Sequence, residues 1–239
     1  MVSDDEGGEP MGTTTTALGE HATSISQRLR SVAAGAQPAL DRLDAIVRER
    51  LRGIPPERRR PAPSTIAVPA ALQYAILGDG GDVAELREMF ENLLVAAMDR
   101  DTAANAHPAF VTMISQLMPD EARILKSIDR RRYAALNLFE ATPEGATMTE
   151  SLIGFRSLLG ADTGIDESRQ NQYLSNLSRL SILRFDWGDS LHPNGERKEL
   201  ERRVNAEFPT RSVSVYTGTI SITVLGWQFL DTCVRSRRW

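Results

Sequence analysis

The apolar positions of residues 24–53 predict one amphipathic helix. They recur every three or four residues, which is the helical period, and Pro38 should kink or split the helix near Gln37. Nine arginines lie between residues 24 and 60, against four acids. We therefore predict an arginine-rich helix over 24–53, which is also a candidate surface for a homo-oligomer. Its apolar positions are Ile25, Leu29, Val32, Ala36, Leu40, Leu43 and Val47.

The segments that flank this helix lack apolar periodicity. Residues 1–23 are polar and rich in Gly and Thr, a composition that predicts a disordered tail. Prolines crowd the stretch after Gly53, and proline favours extended, semi-rigid spacers. We therefore predict a Pro-rich linker over 54–65.

Residues 66–118 predict a small helical domain. An apolar helix covers Ile66 to Leu77, and a second helix, capped by Asp82, runs to about Asp99. A third begins near Pro108, because proline suits the first turn of a helix. The buried side of the second helix is predicted to consist of Val83, Leu86, Phe90, Leu93, Leu94 and Ala97.

Residues 119–239 mix helical and strand patterns. We predict helices from Pro119, at 149–159, at 167–182 with Asp166 as N-cap, at 196–206 and at 226–234, a short strand at 133–139, a loop at 185–195, and a β-hairpin at 212–224 with its turn at Thr217-Gly218. Helices followed by a hairpin are the order of a winged-helix domain. The predicted fold is therefore mainly α with a small β-hairpin: a helical domain followed by a winged-helix-like α+β domain.

Composition narrows the function. The chain has 239 residues, 41% of them hydrophobic, and a net charge of −4. Its longest apolar run is shorter than the roughly 20 residues of a membrane span, and its acidic N-terminus does not resemble a secretory signal. We therefore expect a cytoplasmic protein with no membrane contact. Its single cysteine, Cys233, is expected to be a buried, inert thiol on a packed helix.

Candidate chemistry is sparse. The sequence has no phosphate-binding glycine motif of the GxxxxGK[ST] or GxGxxG type, and no serine or cysteine stands in a nucleophile-elbow context. We predict no catalytic residues, no metal and no cofactor. An effector enzyme with an unrecognised site remains an alternative.

Several motifs occur in a characteristic order. They read ELREMFENLL, MDRDTA, HPAFV and QLMPDEARIL, and, downstream, YLSNLSRLSIL and ISITVLGWQFLDTC. Together they resemble the Abi-alpha (abortive infection alpha) family over about residues 55–235. Met118 stands where that family often has a capping serine, and the first 50 residues lie outside the resemblance. The resemblance implies a role in bacterial antiviral defence against phage and supplies no mechanism.

The polar side of the second helix and the loop after it form a candidate interaction face. Asp99, Asp101 and His107 also have the residue types of a divalent-metal site. We favour a structural role for these three, with His107 as a helix cap before Pro108. The face consists of Arg87, Glu88, Glu91, Asn92, Asp99, Asp101 and His107.

The helix at 167–182 carries a candidate recognition face of Asn171, Gln172, Ser175 and Arg179. Amide and guanidinium groups can read base edges, but this face has one arginine, and phosphate contacts supply most non-specific affinity. Residues 119–239 hold 17 bases and 16 acids, so nucleic-acid binding is expected to be weak. The favoured hypothesis is a non-enzymatic phage-defence protein that acts through contacts with a host or phage protein. A winged-helix DNA-binding regulator is the main alternative.

Overall fold

The structure, a computed structural model, describes residues 35–78, 80–129, 131–144, 147–188, 194–209 and 213–235. The predicted tail over 1–23 and the first part of the helix predicted over 24–53 lie outside these residues. Helix α1 covers 35–52. It is continuous through Pro38, so the predicted break near Gln37 is absent from this part of the chain. Its buried side carries Ala39, Leu43, Val47 and Leu51.

Four further helices complete the N-terminal part: α2 (Ser64–Leu77), α3 (Ala84–Met98), α4 (Ala109–Ser115) and α5 (Pro119–Ser127). Proline stands at N1 of α5, as predicted. The prediction for the start of α3 is wrong: Asp82 lies in a 3-10 turn, Gly81–Val83, and Val83 is the N-cap without a side-chain bond. Instead of a side-chain cap, a backbone hydrogen bond of this turn, from the Ala84 N–H to the Gly81 carbonyl, precedes the helix.

Helix α3 is the centre of the helical part. Every residue from Met89 to Ala97 is buried, because α2, α4, α5 and the C-terminal turn all pack against it. The sequence predicted that one side of α3 is buried, whereas both sides of α3 are buried in the structure. Its polar residues therefore need partners inside the protein, since a buried polar group without one is costly.

The residues predicted as a Pro-rich linker pack against this centre. Pro56–Arg58 form a 3-10 turn, and Ile54 is only 1% exposed. A backbone bridge joins Arg59 to Asp99 at the end of α3. One cluster of buried hydrophobic residues extends from α1 to the C-terminal turn. It therefore includes residues from both sides of residue 118, where the sequence placed the end of the helical domain.

The C-terminal part alternates strands and helices. It contains β1 (Tyr133–Glu144), β2 (Thr147–Ser157), α6 (Glu167–Arg179), β3 (Leu183–Trp187), α7 (Asn194–Glu207), β4 (Val213–Ile222), α8 (Val224–Phe229) and a π-helical turn, Leu230–Val234. The four strands form one antiparallel sheet in the order β2-β1-β4-β3. The chain is thus helical first and α+β afterwards, as predicted at that level.

The strand predictions were partly wrong. The predicted strand at 133–139 is confirmed as part of β1, but the predicted helix at 149–159 is β2, and the predicted loop at 185–195 begins with β3. The predicted hairpin at 212–224 is the single strand β4 over its described residues, with Thr217-Gly218 in its middle. Two helices interrupt the strands, so this order differs from the helix–hairpin order of the winged-helix prediction.

The sheet is covered on both faces. Leu136 and Leu138 of β1 pack with Leu200 and Val204 of α7 in a small separate cluster. The alternate positions of the sheet face the main core, which contains Tyr133, Ala135 and Ile220. This alternation is the period of two that a strand requires.

Candidate functional site

Part of the predicted interaction face is internal. Glu91 and Asn92 are only 6% and 8% exposed. The Arg50 guanidinium of α1 donates to Glu91 Oε2 at 2.6 Å and to Asn92 Oδ1 at 2.5 Å. Tyr74 of α2 donates its hydroxyl to Glu91 Oε1 at 3.2 Å, and Asn92 Nδ2 donates to the Cys233 carbonyl at 2.8 Å. These four contacts join α1, α2 and the C-terminal turn to α3.

Burial sets the electrostatics of this cluster. It raises the pKa of the Glu91 carboxyl, and the charge of Arg50 and the hydrogen bond from Tyr74 act in the opposite direction. Burial and the neighbouring carboxylate together raise the pKa of Tyr74. Each oxygen of the Glu91 carboxylate therefore accepts a hydrogen bond from inside the protein, one from Arg50 and one from Tyr74.

Arg87 and Glu88 lie nearer the surface. Arg87 donates to the Gly80 carbonyl at 2.7 Å, and Glu88 accepts from Lys126 of α5 at 2.6 Å. Both contacts hold elements of the helical part together. As partly exposed pairs they contribute little stability each.

Two of the residues with metal-site chemistry, Asp99 and Asp101, are paired with the same arginine. The Arg58 guanidinium donates to both carboxylate oxygens of Asp99, at 3.0 and 2.5 Å, and its Nε lies 2.9 Å from Asp101. His107 Nδ1 accepts from the backbone N–H of Ala109 at 3.1 Å, but the N-cap of α4 is Pro108 and not His107. Within the described ranges, no group of three or more His, Cys, Asp or Glu residues is placed to hold a metal ion.

The recognition face on α6 is divided. Arg179 donates to Asn176 Oδ1 and, at 2.8 Å, to Gln116 Oε1 beside α5. Gln172 and Ser175 are exposed. Asn171 Oδ1 is buried and has no hydrogen-bond partner among the described residues. The one arginine of this face is exposed and makes hydrogen bonds to two amide side chains of the protein.

One carboxylate caps α6, and another joins it to α5. Asp166 caps α6 by accepting from the Ser168 N–H at 2.9 Å, as predicted. Glu121 accepts from the Met118 N–H at 2.7 Å and from Asn176 Nδ2 at 3.0 Å. Burial raises the pKa of Glu121, and these hydrogen bonds oppose the increase.

Tyr173 gives this contact a measurable pH dependence. Its hydroxyl donates to Asp120 Oδ2 at 2.6 Å, and this bond, with help from Arg123, lowers the pKa of Asp120. A lowered native pKa stabilises the fold above the unfolded value of about 4 and loses that effect as pH falls through the native pKa. We expect Tyr173→Phe to cost about 1–2 kcal/mol at pH 7, and the difference from wild type to shrink below about pH 4.

Urea unfolding at pH 7 and pH 3 checks this expectation. Tyr216→Phe, at a half-exposed tyrosine of β4, is the matched control and should change stability little at either pH. A Tyr173→Phe cost that is the same at both values would show that Asp120 does not carry the effect.

A surface of α2 that the sequence reasoning missed is exposed and apolar. Val68, Leu72 and Ile76 are 66%, 54% and 55% exposed, and their spacing of four places them on one side of the helix. We call these three residues the α2 stripe. Beside them lies an apolar groove between α1 and α2, with a volume of about 340 Å³. This α2 groove is lined by Leu40, Val47, Ala62, Ala67, Ala71 and Met98, among others.

A second cleft lies between α6 and the sheet. Phe155 of β2 and Phe185 and Trp187 of β3 form one wall, Ser175 and Ser178 of α6 form the other, and the volume is about 270 Å³. We call these five residues the aromatic cleft. Only Ser175 belonged to a predicted face. The alternation Leu183, Phe185, Trp187 is the strand signal that would have identified the wall.

The thiol prediction is confirmed: Cys233 is buried, and burial raises its pKa. Among the described residues, no helix is both long enough and apolar enough to span a membrane. The described residues form a mainly helical part and a C-terminal α+β part, with an internally paired polar centre, the α2 groove and the aromatic cleft.

A comparison of this sequence with models of known protein families identifies its family. The family model of abortive infection alpha matches residues 36–233, so the chain belongs to the abortive infection alpha family, as the motifs predicted. The match includes α1 almost entirely, which corrects the expectation that the first 50 residues lie outside it.

Other comparisons add little. No curated protein matches the chain. The solved structure of an uncharacterized protein from the hydrocarbon-degrading marine bacterium Alcanivorax borkumensis SK2 is similar over 56% of this chain and 94% of that one, at 21% identity and a TM-score of 0.34.

Proposed function

We propose that this protein acts in defence against phage by abortive infection, and that it does so by binding another protein through the α2 stripe and the α2 groove. Family membership supports the process. The observation that carries the mechanism is the exposure of three aliphatic side chains in line beside an apolar groove. Contiguous exposed apolar surface is typical of interaction sites.

The shape of this surface favours a helix as the partner's contact. A helix binds a groove by inserting residues at spacings of three and four, and α2 presents its own side chains at a spacing of four. Ala62, Ala67 and Ala71 line the groove with small side chains, which allows a partner helix to approach closely. Burial of this apolar surface would contribute roughly 25 cal/mol per Å² removed from water.

The polar clusters support binding over catalysis. Glu91 and Asp99, the most buried acids of the predicted interaction face, are paired with Arg50 and Arg58. Neither carboxylate is left facing a cleft where a substrate could be held. The α2 surface, in contrast, has exposed area and no partner within the described part of the chain that covers it.

Phage challenge of a host that carries the gene tests the proposal. We expect the double variant Leu72→Glu/Ile76→Glu to lose protection, because two charges in the stripe prevent apolar contact with the partner. Its melting temperature should stay within about 2 °C of wild type, since exposed substitutions change stability little. Val224→Glu is the matched control: Val224 is 78% exposed and far from α2 in the chain, and its protection should be unchanged.

Two results would contradict the proposal. One is full protection by the double variant at wild-type protein levels. The other is loss of protection by Val224→Glu as well, which would show that any new surface charge has this effect. Size-exclusion chromatography with light scattering on the same variants shows whether the partner is a second copy: a wild-type dimer that the double variant abolishes would make it one.

A further inference from the structure

We propose that the aromatic cleft is a binding site for a nucleoside-like ligand, held by stacking of its base on Trp187 and recognised by its polar edge rather than by a phosphate. This inference does not depend on the α2 surface. It rests on the aromatic wall, the hydroxyls opposite it, the volume of the cleft and the pairing of the nearby charges.

The aromatic wall is preorganised. The rings of Phe185 and Trp187 stack with centroids 5.7 Å apart and planes 15° from parallel. Phe155 contacts Phe185 edge-on, with centroids 5.0 Å apart. Trp187 nevertheless remains 41% exposed, so part of a rigid indole is open to a second planar group.

The middle of the sheet explains how rings from both edge strands meet. Ala135 of β1 and Gly218 of β4 are paired in the register, and Gly218 is also paired with Trp187. Both are small, and a Cβ on Gly218 would overlap the indole. The indole therefore lies against the strand itself, which fixes the orientation of its outer face.

The opposite wall supplies hydrogen bonding. Ser175 and Ser178 come from adjacent turns of α6, and each hydroxyl both donates and accepts. This combination suits a base edge, which carries donors and acceptors side by side. The cleft volume of about 270 Å³ is below the roughly 300–1,000 Å³ of sites for drug-sized ligands. A single base with its sugar is the matching size.

The charges around the cleft argue against a phosphate. Arg184 is paired with Asp186 at 3.1 Å, and Arg179 is bonded to Asn176 and Gln116. Both arginines are exposed but already have partners, so a phosphate would have to compete with these contacts. Nucleotide and single-strand sites combine stacking aromatics with a positively charged groove, and the described residues that line this cleft include aromatics but no lysine or arginine.

Titration of the full-length protein with the four common nucleosides tests the proposal. Binding is followed by calorimetry and by NMR of the Trp187 indole, with ribose 5-phosphate and a proline hexapeptide as comparison ligands. We expect millimolar or tighter binding of at least one nucleoside, with a shift of the Trp187 signal. Trp187→Ala should weaken it about five- to hundredfold, and Trp187→Phe should keep most of it.

The controls separate stacking from folding. Trp227→Phe, a tryptophan that contacts Arg235 instead, should leave binding unchanged. Ser175→Ala/Ser178→Ala should reduce discrimination among nucleosides while retaining binding. If Trp187→Ala does not fold, two measurements still test the proposal: the shift of the Trp187 indole signal in the wild type, and the nucleoside affinity of Trp187→Phe.

Three outcomes would overturn the inference. The first is that no nucleoside binds at about 10 mM, tenfold above the expected millimolar range. The second is that ribose 5-phosphate binds as tightly as any nucleoside, and the third is that only the proline peptide binds. The last would identify the aromatic wall as a polyproline groove.

Discussion

Phe90→Ala should lower the free energy of unfolding by about 3–5 kcal/mol, the range for buried aromatic truncations. Phe90 is 1% exposed and belongs to the main core cluster. It lies on α3, which is surrounded by other helices, so the surroundings cannot easily collapse into the space left by the ring. Urea unfolding followed by circular dichroism measures the change.

Leu72→Ala is the matched control for this prediction. Leu72 is aliphatic and helical as well, but it is 54% exposed, so its truncation should change stability by no more than about 0.5 kcal/mol. A Phe90→Ala cost below about 1 kcal/mol would contradict the placement of Phe90 at the centre of the core.

Arg50→Ala should be destabilising by about 3–5 kcal/mol at pH 7, because it leaves a buried carboxylate without its partner. Glu91 keeps only the hydrogen bond from Tyr74, and Asn92 loses its donor. The pKa of Glu91 is already raised, and loss of the Arg50 charge raises it further. Since a raised native pKa favours the protonated fold, the variant should recover stability as pH falls from 7 towards 5.

Arg52→Ala separates this effect from the loss of any arginine on α1. Arg52 is exposed and pairs only with Glu49 among the contacts described for its side chain, so its removal should cost about 0.5 kcal/mol or less. Unfolding curves for both variants at pH 5 and pH 7 make the comparison. Equal costs for Arg50→Ala at the two pH values would show that Glu91 does not respond to the missing charge.

Helices with strong local signals could be predicted from the sequence. Pro119 at the start of α5 and Asp166 at the N-cap of α6 behave as their chemistry requires, because both act within one helical turn. Helix α7 was predicted over 196–206 and covers Asn194–Glu207. These elements depend little on what surrounds them.

The strands could not be predicted in the same way. The segment around β2 contains residues that also suit a helix, and it is a strand because β1 pairs with it. Its Gly154 has a φ of 138° beside a register shift, which a local helical pattern does not reveal. Thr217-Gly218 has the composition of a turn, but in β4 the glycine makes room for Trp187.

Part of the predicted interaction face is buried for a related reason. A periodic pattern identifies the apolar side of a helix and assigns the other side to solvent, which holds for a helix at the surface. Helix α3 is central, so Glu91 and Asn92 on its polar side are buried against other elements. Helix α2 shows the converse, because its apolar residues surround the helix and some of them must face outward.

The hydrogen bond from Asn92 to the Cys233 carbonyl joins residues 141 positions apart. During synthesis, α3 leaves the ribosome long before the turn that completes its environment exists. Contacts so distant in sequence slow folding, because the loop entropy is lost before the contact forms. One side of α3 therefore stays uncovered until the C-terminal turn has been synthesised. A nascent chain stalled before residue 224 should bind chaperones that the finished protein does not bind.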